Sequence, residues 1–411
     1  MIHQRDNYTP WRIIGADLFS DIGNRFVVLL LIDLLVFQGQ NAVSSLVLMC
    51  VFEQVPAILL SPAAGWGVGR FGAKKWLILV VASKGLLVGA FLLATGRAGM
   101  LSVYFLFLVC SLFFAVGRLS LVPLIVPGAR LVSFNALNER VAVAGAVAAP
   151  WLIGLALSRL HQPAVMGMAF LFFLGSVVMI RGIRVPASAA RDHRMETVSV
   201  YPEKGLIGLT VSFRRLFSAV PAMGPAFLML GFVVAGSGVL TIGLPLYFKT
   251  AIQGDIAGWG LIMSAFQAGA FVSTLLLPRL ENALCQGPAA PVLFMILAAG
   301  IYLLTMAVTE TQIALLMFLF GGGFTMMLIF WESLIQQCCP EEMTGRVMAL
   351  LASFKGTCYL VAVSAGALVS VLWDARSFLI IGALFVAVAA FVPRKTPSPS
   401  SVPSAQPPAA R

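Results

Sequence analysis

Charged side chains interrupt apolar stretches of this sequence at several points. Asp17, Asp21 and Arg25 follow one another at intervals of four residues, a spacing that keeps three side chains within roughly 80° of one another on a helix. Asp21 can therefore pair with Arg25 on the same helix. The other charges inside apolar stretches are Asp33, Glu53, Lys84, Arg118, Glu139, Arg140, Glu332 and Lys355. Their nearly balanced signs predict a network of charges.

Such a network needs partners or water, because a charged side chain at the centre of a bilayer costs at least about 2.5–3.5 kcal/mol. A carboxyl in this setting can bind and release a proton when its surroundings change. Glu53 is the first candidate, since it lies in an otherwise apolar run where desolvation would be strong. Asp21 is the second candidate, because Arg25 could hold it ionised. Arg118 and Lys84 could balance these charges or attract an anionic substrate.

The elements that position these side chains follow from composition. Of the 411 residues, 60% are hydrophobic and only 10% are charged, against about 25% charged in ordinary soluble chains. A bilayer core about 30 Å thick needs roughly 20 apolar residues per helix. The sequence therefore predicts an all-α integral membrane protein with twelve transmembrane helices, and a removable signal peptide is not expected. The apolar runs lie at residues 13–37, 43–64, 76–96, 100–126, 136–159, 164–183, 226–249, 258–280, 288–309, 312–336, 346–372 and 375–393.

The net charge of +11 does not indicate a nucleic-acid partner, because the charges follow the loops between the runs. If the chain crosses the membrane at every run, most Lys and Arg residues of the loops fall on one side. The opposite loops hold only Arg97, Arg159, Lys249 and Arg376. The positive-inside rule makes the rich side cytoplasmic. Both termini are therefore expected in the cytoplasm, and the lipid bilayer is the partner of the helices.

The longest hydrophilic interval divides the runs six and six. A weak internal repeat supports this division, since Arg118 lies nine residues before Pro127 and Glu332 lies eight before Pro340. Parallel repeats about an axis along the membrane normal would produce six-plus-six spans. The predicted units are a cytoplasmic N-terminal segment at 1–12, an N-terminal six-helix bundle at 13–183, a cytoplasmic linker at 184–225, a C-terminal six-helix bundle at 226–393 and a disordered cytoplasmic tail at 394–411.

Enzymatic and metal chemistry have little support in the sequence. The three histidines, His3, His161 and His193, lie in polar ends or loops, and the six cysteines form no CxxC motif. We therefore predict no catalytic residue, no metal site and no cofactor. The motif GxxxxGK[ST] is absent from the sequence, so ATP is not expected to supply energy directly. A proton gradient is the expected energy source.

A glycine-rich basic stretch, GWGVGRFGAKKW at 65–76, separates the second and third runs. Together with the twelve runs it resembles the major facilitator superfamily, whose loop in this place reads roughly G-x-x-x-D-R-x-G-R/K-K/R. The matching residues are Gly65, Arg70, Gly72, Lys74 and Lys75, and Gly69 stands where the family has aspartate. The resemblance implies a cytoplasmic gate loop that helps to latch the two bundles, and the missing acid predicts a weaker latch.

The glycines of this stretch have separate expected roles. Gly72 can take the positive φ of a tight turn. Gly65 and Gly69 can let neighbouring helices approach closely.

The fifth run carries a second resemblance. Its sequence GAVAAPWLIG is similar to the motif G-x-x-x-G-P-x-x-G-G of antiporter-like members of the superfamily. Gly145, Pro150 and Gly154 match this motif, while Ala149 and Ile153 replace glycines. Small residues and a proline on one face permit close packing and a bend against a neighbouring helix.

Three further segments, 135–141, 258–271 and 340–350, resemble the drug:proton antiporter branch that includes macrolide-efflux and enterobactin-exporter proteins. This resemblance implies a secondary active transporter of a bacterial inner membrane, acting as a monomer. It would export a small amphipathic molecule, either a siderophore or an antibiotic-like compound, against proton entry. The stretch DIGNRF at 21–26 is similar to lysophospholipid transporters, so a lysophospholipid flippase is one alternative. A non-transporting membrane sensor or assembly partner is another.

Overall fold

The protein is described by a computed structural model that covers residues 9–39, 41–94, 96–126, 128–183, 223–285, 289–338, 341–369 and 374–392. In these ranges the chain forms twelve α-helices and no strand. This result confirms the all-α prediction. A helix satisfies its own backbone hydrogen bonds, which is required of a chain segment surrounded by lipid.

The helices follow the chain in two sets of six. The first set is α1 (Thr9–Ile32), α2 (Ala42–Phe71), α3 (Ala73–Leu93), α4 (Gly96–Ile125), α5 (Gly128–Arg159) and α6 (Gln162–Arg181). The second set is α7 (Met223–Tyr247), α8 (Ile256–Cys285), α9 (Ala289–Leu304), α10 (Glu310–Cys338), α11 (Glu341–Val369) and α12 (Ala375–Ala390). Helices α1 and α7 each continue into a π-helical turn, at Asp33–Phe37 and Phe248–Ile252.

Eight of these helices, α3 to α8, α10 and α11, are long and apolar enough to cross a membrane by length and composition. Helices α9 and α12 are apolar but shorter, as is the Ala42–Pro56 part of α2. Helix α1 contains four charged residues, Arg12, Asp17, Asp21 and Arg25, within 24 residues.

Each helix corresponds in order to one of the predicted runs, but some predicted ends are wrong. Helix α2 continues to Phe71 instead of ending at 64, and α5 begins at Gly128 instead of 136. Polar and glycine residues extend these helices because the backbone, and not the apolar character of the side chain, makes the helical hydrogen bonds.

The two sets of helices form two packed groups. Helix α1 packs against α5 and α6, α3 packs against α4 and α6, and α2 packs against α4. In the second group α7 packs against α11 and α12, α8 against α10, and α9 against α10 and α12. The groups meet where α5 contacts α8 and where α2 contacts α11 and α7.

The contact between α5 and α8 brings two backbones together. A Cβ on Gly154 would lie 2.7 Å from the carbonyl oxygen of Ile256, and a Cβ on Gly260 would overlap the carbonyl oxygen of Pro150. The backbone N–H of Trp151 donates to Ser264 Oγ at 3.0 Å. The small residues of the fifth-run motif thus pack one group against the other. Gly145 has a different neighbour, because a Cβ there would lie 2.7 Å from Leu18 Cδ1 on α1.

The groups also meet at one end of the molecule, which we call the closed end and define by Val36, Phe37, Phe248, Lys249 and Trp259. The ring of Phe37 packs against the rings of Phe248 and Trp259, with centroids 6.2 and 6.4 Å apart. Lys249 Nζ donates to the carbonyl oxygens of Val36 at 2.6 Å and Gly39 at 3.0 Å. A buried apolar cluster continues this contact inward, and its members include Val36, Leu46 and Cys50 of the first group and Val239, Ile242 and Val363 of the second.

Three predicted units fall largely or wholly outside the described residues. Residues 1–8 of the N-terminal segment, 184–222 of the linker and the whole of the tail at 394–411 are not among the described ranges.

The close contact of α5 and α8 makes a test of this packing. Gly260→Ala should lower the melting temperature in detergent by at least about 3 °C, because overpacking costs about 1–3 kcal/mol and the new Cβ would overlap the Pro150 carbonyl. Gly167→Ala on α6 is the matched control, since a Cβ there meets no atom within 4 Å. Equal melting temperatures for the two variants would contradict the close contact.

Candidate functional site

The charges of α1 form the first part of the site. Arg25 Nε donates to Asp21 Oδ2 at 2.9 Å, one helical turn apart, which confirms the predicted pair. The side chains of Arg25 and Asp21 remain 25% and 36% exposed. This pair therefore keeps part of its surface uncovered by protein, although the apolar side of α1 is buried against α5 and α6.

Two further ion pairs join different helices. Arg118 Nη1 of α4 donates to Asp17 Oδ2 of α1 at 2.8 Å. Lys355 of α11 donates to Glu332 of α10. Each pair links two helices of the same group, so each charge is neutralised inside its own group. Asn138 of α5 also hydrogen-bonds Asp17. No pattern in the sequence predicts that α1, α4 and α5 meet at Asp17.

Lys84 occupies a different environment from the other charges. Its side chain is fully buried, with 0% exposed surface. The ammonium donates to Asn24 Oδ1 at 2.8 Å and to Ser20 Oγ at 3.5 Å, both on α1. It also lies 5.1–5.6 Å from the ring centroids of Phe107, Phe114 and Phe173.

These contacts give Lys84 partners that the sequence did not predict. Among the described residues no carboxylate lies within ion-pair distance of it, and it lines no accessible surface. An amide oxygen and the faces of aromatic rings hold the ammonium instead, as in a cation–π cage. In this conformation Lys84 organises the interior of the first group and does not contact the space between the groups.

Glu53 lies where the two groups of helices meet. Its side chain on α2 is exposed, and the buried Tyr104 of α4 donates from Oη to Glu53 Oε1 at 3.3 Å. One turn earlier on α2, Cys50 accepts a hydrogen bond from Tyr359 Oη of α11 at 3.4 Å. Tyr104 belongs to the first group and Tyr359 to the second, so Glu53 lies within one helical turn of a contact between the groups.

The structure separates the predicted site residues into three sets. The first set gathers around α1 and consists of Asp21, Arg25, Arg118 and Lys84. The second set, Glu332 and Lys355, joins α10 to α11, and the third is Glu53, on α2 near its contact with α11. In the part of the chain that the structure describes, Glu53 has no cation within ion-pair distance, whereas Asp17, Asp21 and Glu332 each have one. The sequence did not single out Tyr104 or Tyr359, since an isolated tyrosine in an apolar run carries no spacing signal.

The predicted gate loop is only partly a loop. Gly65, Gly69 and Arg70 lie within α2, and the interruption between α2 and α3 is the single residue Gly72. Gly72 has φ = 79°, which confirms its predicted positive φ. A Cβ on Gly65 would meet nothing within 4 Å, so the predicted close approach at Gly65 is wrong.

The close approach in this stretch occurs at Gly67, where the indole of Trp76 occupies the position of a Cβ. No spacing rule distinguished Gly67 from its neighbours.

The cations of this stretch bind within the first group. Lys74 Nζ donates to the carbonyl oxygens of Arg181 at 2.9 Å and Ile183 at 2.6 Å, at the end of α6. Terminal carbonyls of a helix lack intrahelical partners and attract cations. The guanidinium of Arg70 lies 5.5 Å from the ring centroid of Trp66, and Lys75 is exposed.

Metal ligation has no candidate residues in the described ranges. There, no group of three His, Cys, Asp or Glu side chains comes together. Cys50, Cys110 and Cys358 are free thiols.

The cage around Lys84 makes a test by paired substitution. Asn24→Leu should leave the ammonium without its amide partner, and Lys84→Met should leave the amide oxygen unsatisfied. The double variant removes both polar groups, so it should be more stable than the sum of the single effects by about 1–2 kcal/mol, measured by unfolding in detergent. Asn24→Leu combined with Ser83→Ala is the control and should be additive. Additive effects for Asn24→Leu with Lys84→Met would contradict the direct contact.

Comparison with known proteins agrees with this architecture. The model of the Major Facilitator Superfamily matches residues 18–363. No curated protein sequence matches the chain.

Several solved structures share the fold. A bacterial metal transporter is 19% identical, with a TM-score of 0.61 over 95% of this chain and 98% of that protein. A bacterial homologue of the iron transporter ferroportin, in an inward-facing state, is 17% identical, with a TM-score of 0.66 over 93% of this chain and 97% of that protein.

The nucleoside transporter NupG is 14% identical, with a TM-score of 0.71 over 93% of this chain and 97% of that protein. At these identities the likeness shows the fold alone. Since the family model covers most of the chain, the protein belongs to the major facilitator superfamily and is a multi-pass membrane transporter.

Proposed function

We propose that this transporter exports a small amphipathic molecule in exchange for protons, and that Glu53 is the carboxyl that carries the proton. The observation that supports this role most strongly is the surroundings of Glu53. Its side chain is exposed on α2, the helix that contacts α11 of the other group, it accepts a hydrogen bond from a phenol, and among the described residues it has no cation within ion-pair distance. A carboxyl without a cation can become neutral at moderate pH, which a proton carrier requires.

Alternating access would use two bundles, 13–183 and 226–393, joined by the linker at 184–225. The contacts at the closed end and between α5 and α8 close one side of the space between the bundles. If both termini are cytoplasmic, as the distribution of Lys and Arg indicates, the closed end faces outward and Glu53 is reached from the cytoplasm. The membrane would then be the inner membrane of a bacterium, and the working unit a monomer.

The substrate class follows from the polarity of the groups around this space. Apart from Glu53, the partly exposed charges of the predicted site are held in the pairs Asp21–Arg25, Asp17–Arg118 and Glu332–Lys355, and most of the remaining side chains of these helices are apolar. Such a lining suits an amphipathic organic molecule such as a siderophore or an antibiotic-like compound. One of the similar structures is a bacterial metal transporter and another is a homologue of an iron transporter. In the described residues of this chain, however, no three metal-ligating side chains come together, which favours an organic chelate over a bare ion.

Two alternatives lead to different outcomes in the same experiments. A lysophospholipid flippase would move labelled lysophospholipid between the leaflets of a vesicle. A non-transporting sensor or assembly partner would leave the distribution of every small molecule unchanged and would tolerate the loss of the Glu53 charge.

A deletion strain complemented with wild type, Glu53→Gln or Glu139→Gln tests the proposal. Metabolites of cells and medium are profiled after growth with and without iron. We expect the exported compound to disappear from the medium of the deletion strain and to return with wild type, while Glu53→Gln restores less than about a tenth of it because the amide cannot exchange a proton.

Glu139→Gln is the matched control, since Glu139 is an exposed carboxyl on α5 outside the site, and it should restore export fully. Equal export by Glu53→Gln and wild type would contradict the role of Glu53. If no compound changes compartment, export of a native metabolite is contradicted and the lysophospholipid assay decides between the alternatives.

A further inference from the structure

Tyr359 brings the second group of helices to within one helical turn of Glu53. Its hydroxyl donates to Cys50 Sγ at 3.4 Å and also hydrogen-bonds Thr241 of α7. Gly238 of α7 lies close to the backbone of Tyr359 within the second group, and Gly356 of α11 faces Gln54 of α2 across the two groups. A Cβ on Gly238 would lie 3.1 Å from the carbonyl oxygen of Tyr359, and a Cβ on Gly356 would lie 3.3 Å from Gln54 Oε1.

The bond from Tyr359 to Cys50 is a weak one for a group in this position. A thiol sulfur is a poor hydrogen-bond acceptor, whereas an ionised carboxylate accepts through two oxygens with about four lone-pair sites. Hydrogen bonds to an ionised partner are roughly twice as strong as those between neutral groups. Tyr104 contacts only one oxygen of Glu53, Oε1, so the second oxygen is able to accept another donor.

Cys50 and Glu53 are three residues apart on α2, and side chains at this spacing are neighbours on a helix surface. Tyr359 is close enough to both that each acts on it electrostatically. The ionisable groups of the described residues that interact with Glu53 are Tyr104 on α4, Tyr359 on α11 and Cys50 on α2 itself. The α7 neighbour of Tyr359, Thr241, does not titrate.

We infer that Tyr359 is the positioning residue through which the second bundle responds to the protonation of Glu53. In this structure the phenol donates to Cys50, and we assign this arrangement to neutral Glu53. When Glu53 loses its proton, the phenol turns to the carboxylate and α11 is held more firmly against α2. No covalent bond changes in this step, and only the acceptor of the phenolic hydrogen is exchanged. The inference rests on the proposed role of Glu53.

This exchange would stabilise the contact between the groups only while Glu53 is ionised. The contact lies beside the apolar cluster of Val36, Leu46, Val239 and Val363, which continues to the closed end. Release of the proton would therefore favour the closed end, and uptake of a proton would loosen it. The protonation state of Glu53 would then determine which end of the protein opens, and the substrate would not need to contact Tyr359.

Hydrogen–deuterium exchange of the full-length protein in lipid nanodiscs tests this link without added cysteines. We expect wild type to exchange at least about threefold more slowly at high pH than at low pH in peptides covering 36–50 and 239–256, after correction for the intrinsic pH dependence of exchange. Tyr359→Phe should abolish this difference, because the phenyl ring keeps the packing but cannot donate. Tyr302→Phe, an exposed tyrosine of α9, is the matched control and should behave as wild type.

The double variant Glu53→Gln with Tyr359→Phe distinguishes the two proposals. The backbone amides of the same peptides should exchange no faster at high pH in the double variant than in Glu53→Gln alone, because both changes remove the same hydrogen bond. If Tyr359→Phe keeps the wild-type pH profile while Glu53→Gln loses export, the inference about Tyr359 is overturned and the proposed function stands. If Glu53→Gln keeps both export and the pH profile, the proposed function fails together with the inference.

Discussion

The cost of placing a charge in an apolar helix bundle organises this structure. Each ionised group inside the helices must find a partner or water, because an unpaired charge in a low-dielectric interior is expensive. Asp17, Asp21 and Glu332 meet cations, and Lys84 meets an amide and three aromatic rings. Among the described residues this leaves Glu53 as the carboxyl of the set that is held by a neutral phenol instead.

The second constraint is the close approach of backbones between the two groups of helices. Glycines on α5 and α8 allow the chains to touch through main-chain atoms, and the closed end adds aromatic rings and the Lys249 hydrogen bonds. Ion pairs keep each group internally fixed, whereas the contacts between the groups are mostly apolar or single hydrogen bonds. This distribution suits two rigid bodies that separate at one end and rejoin at the other, and Glu53 lies at their boundary.

The sequence predicted the helices and several contacts because these depend on local rules. Hydropathy and length identify an apolar helix, the i, i+4 spacing identifies the Asp21–Arg25 pair, and glycine chemistry identifies the positive φ of Gly72. No local rule of this kind predicts which residues far apart in the sequence come into contact. The partners of Asp17, Lys84 and Glu53 depend on how α1, α2, α3 and α4 rotate against one another, and Tyr104 reaches Glu53 across 51 positions of sequence. The sequence does not predict that α2 continues through Gly65 and Gly69, because glycine and charged residues are also typical of a loop.

The account depends most directly on Glu53 being the carboxyl that takes up a proton inside the membrane. A hydrophobic carbodiimide, which modifies protonated carboxyls in apolar surroundings, measures this property when the labelled peptides are identified by mass spectrometry over a range of pH. We expect the adduct on Glu53, decreasing as the pH rises, and little or no adduct on the ion-paired Asp17, Asp21 and Glu332. An adduct on one of those three carboxyls, with Glu53 unmodified throughout the pH range, would contradict the account.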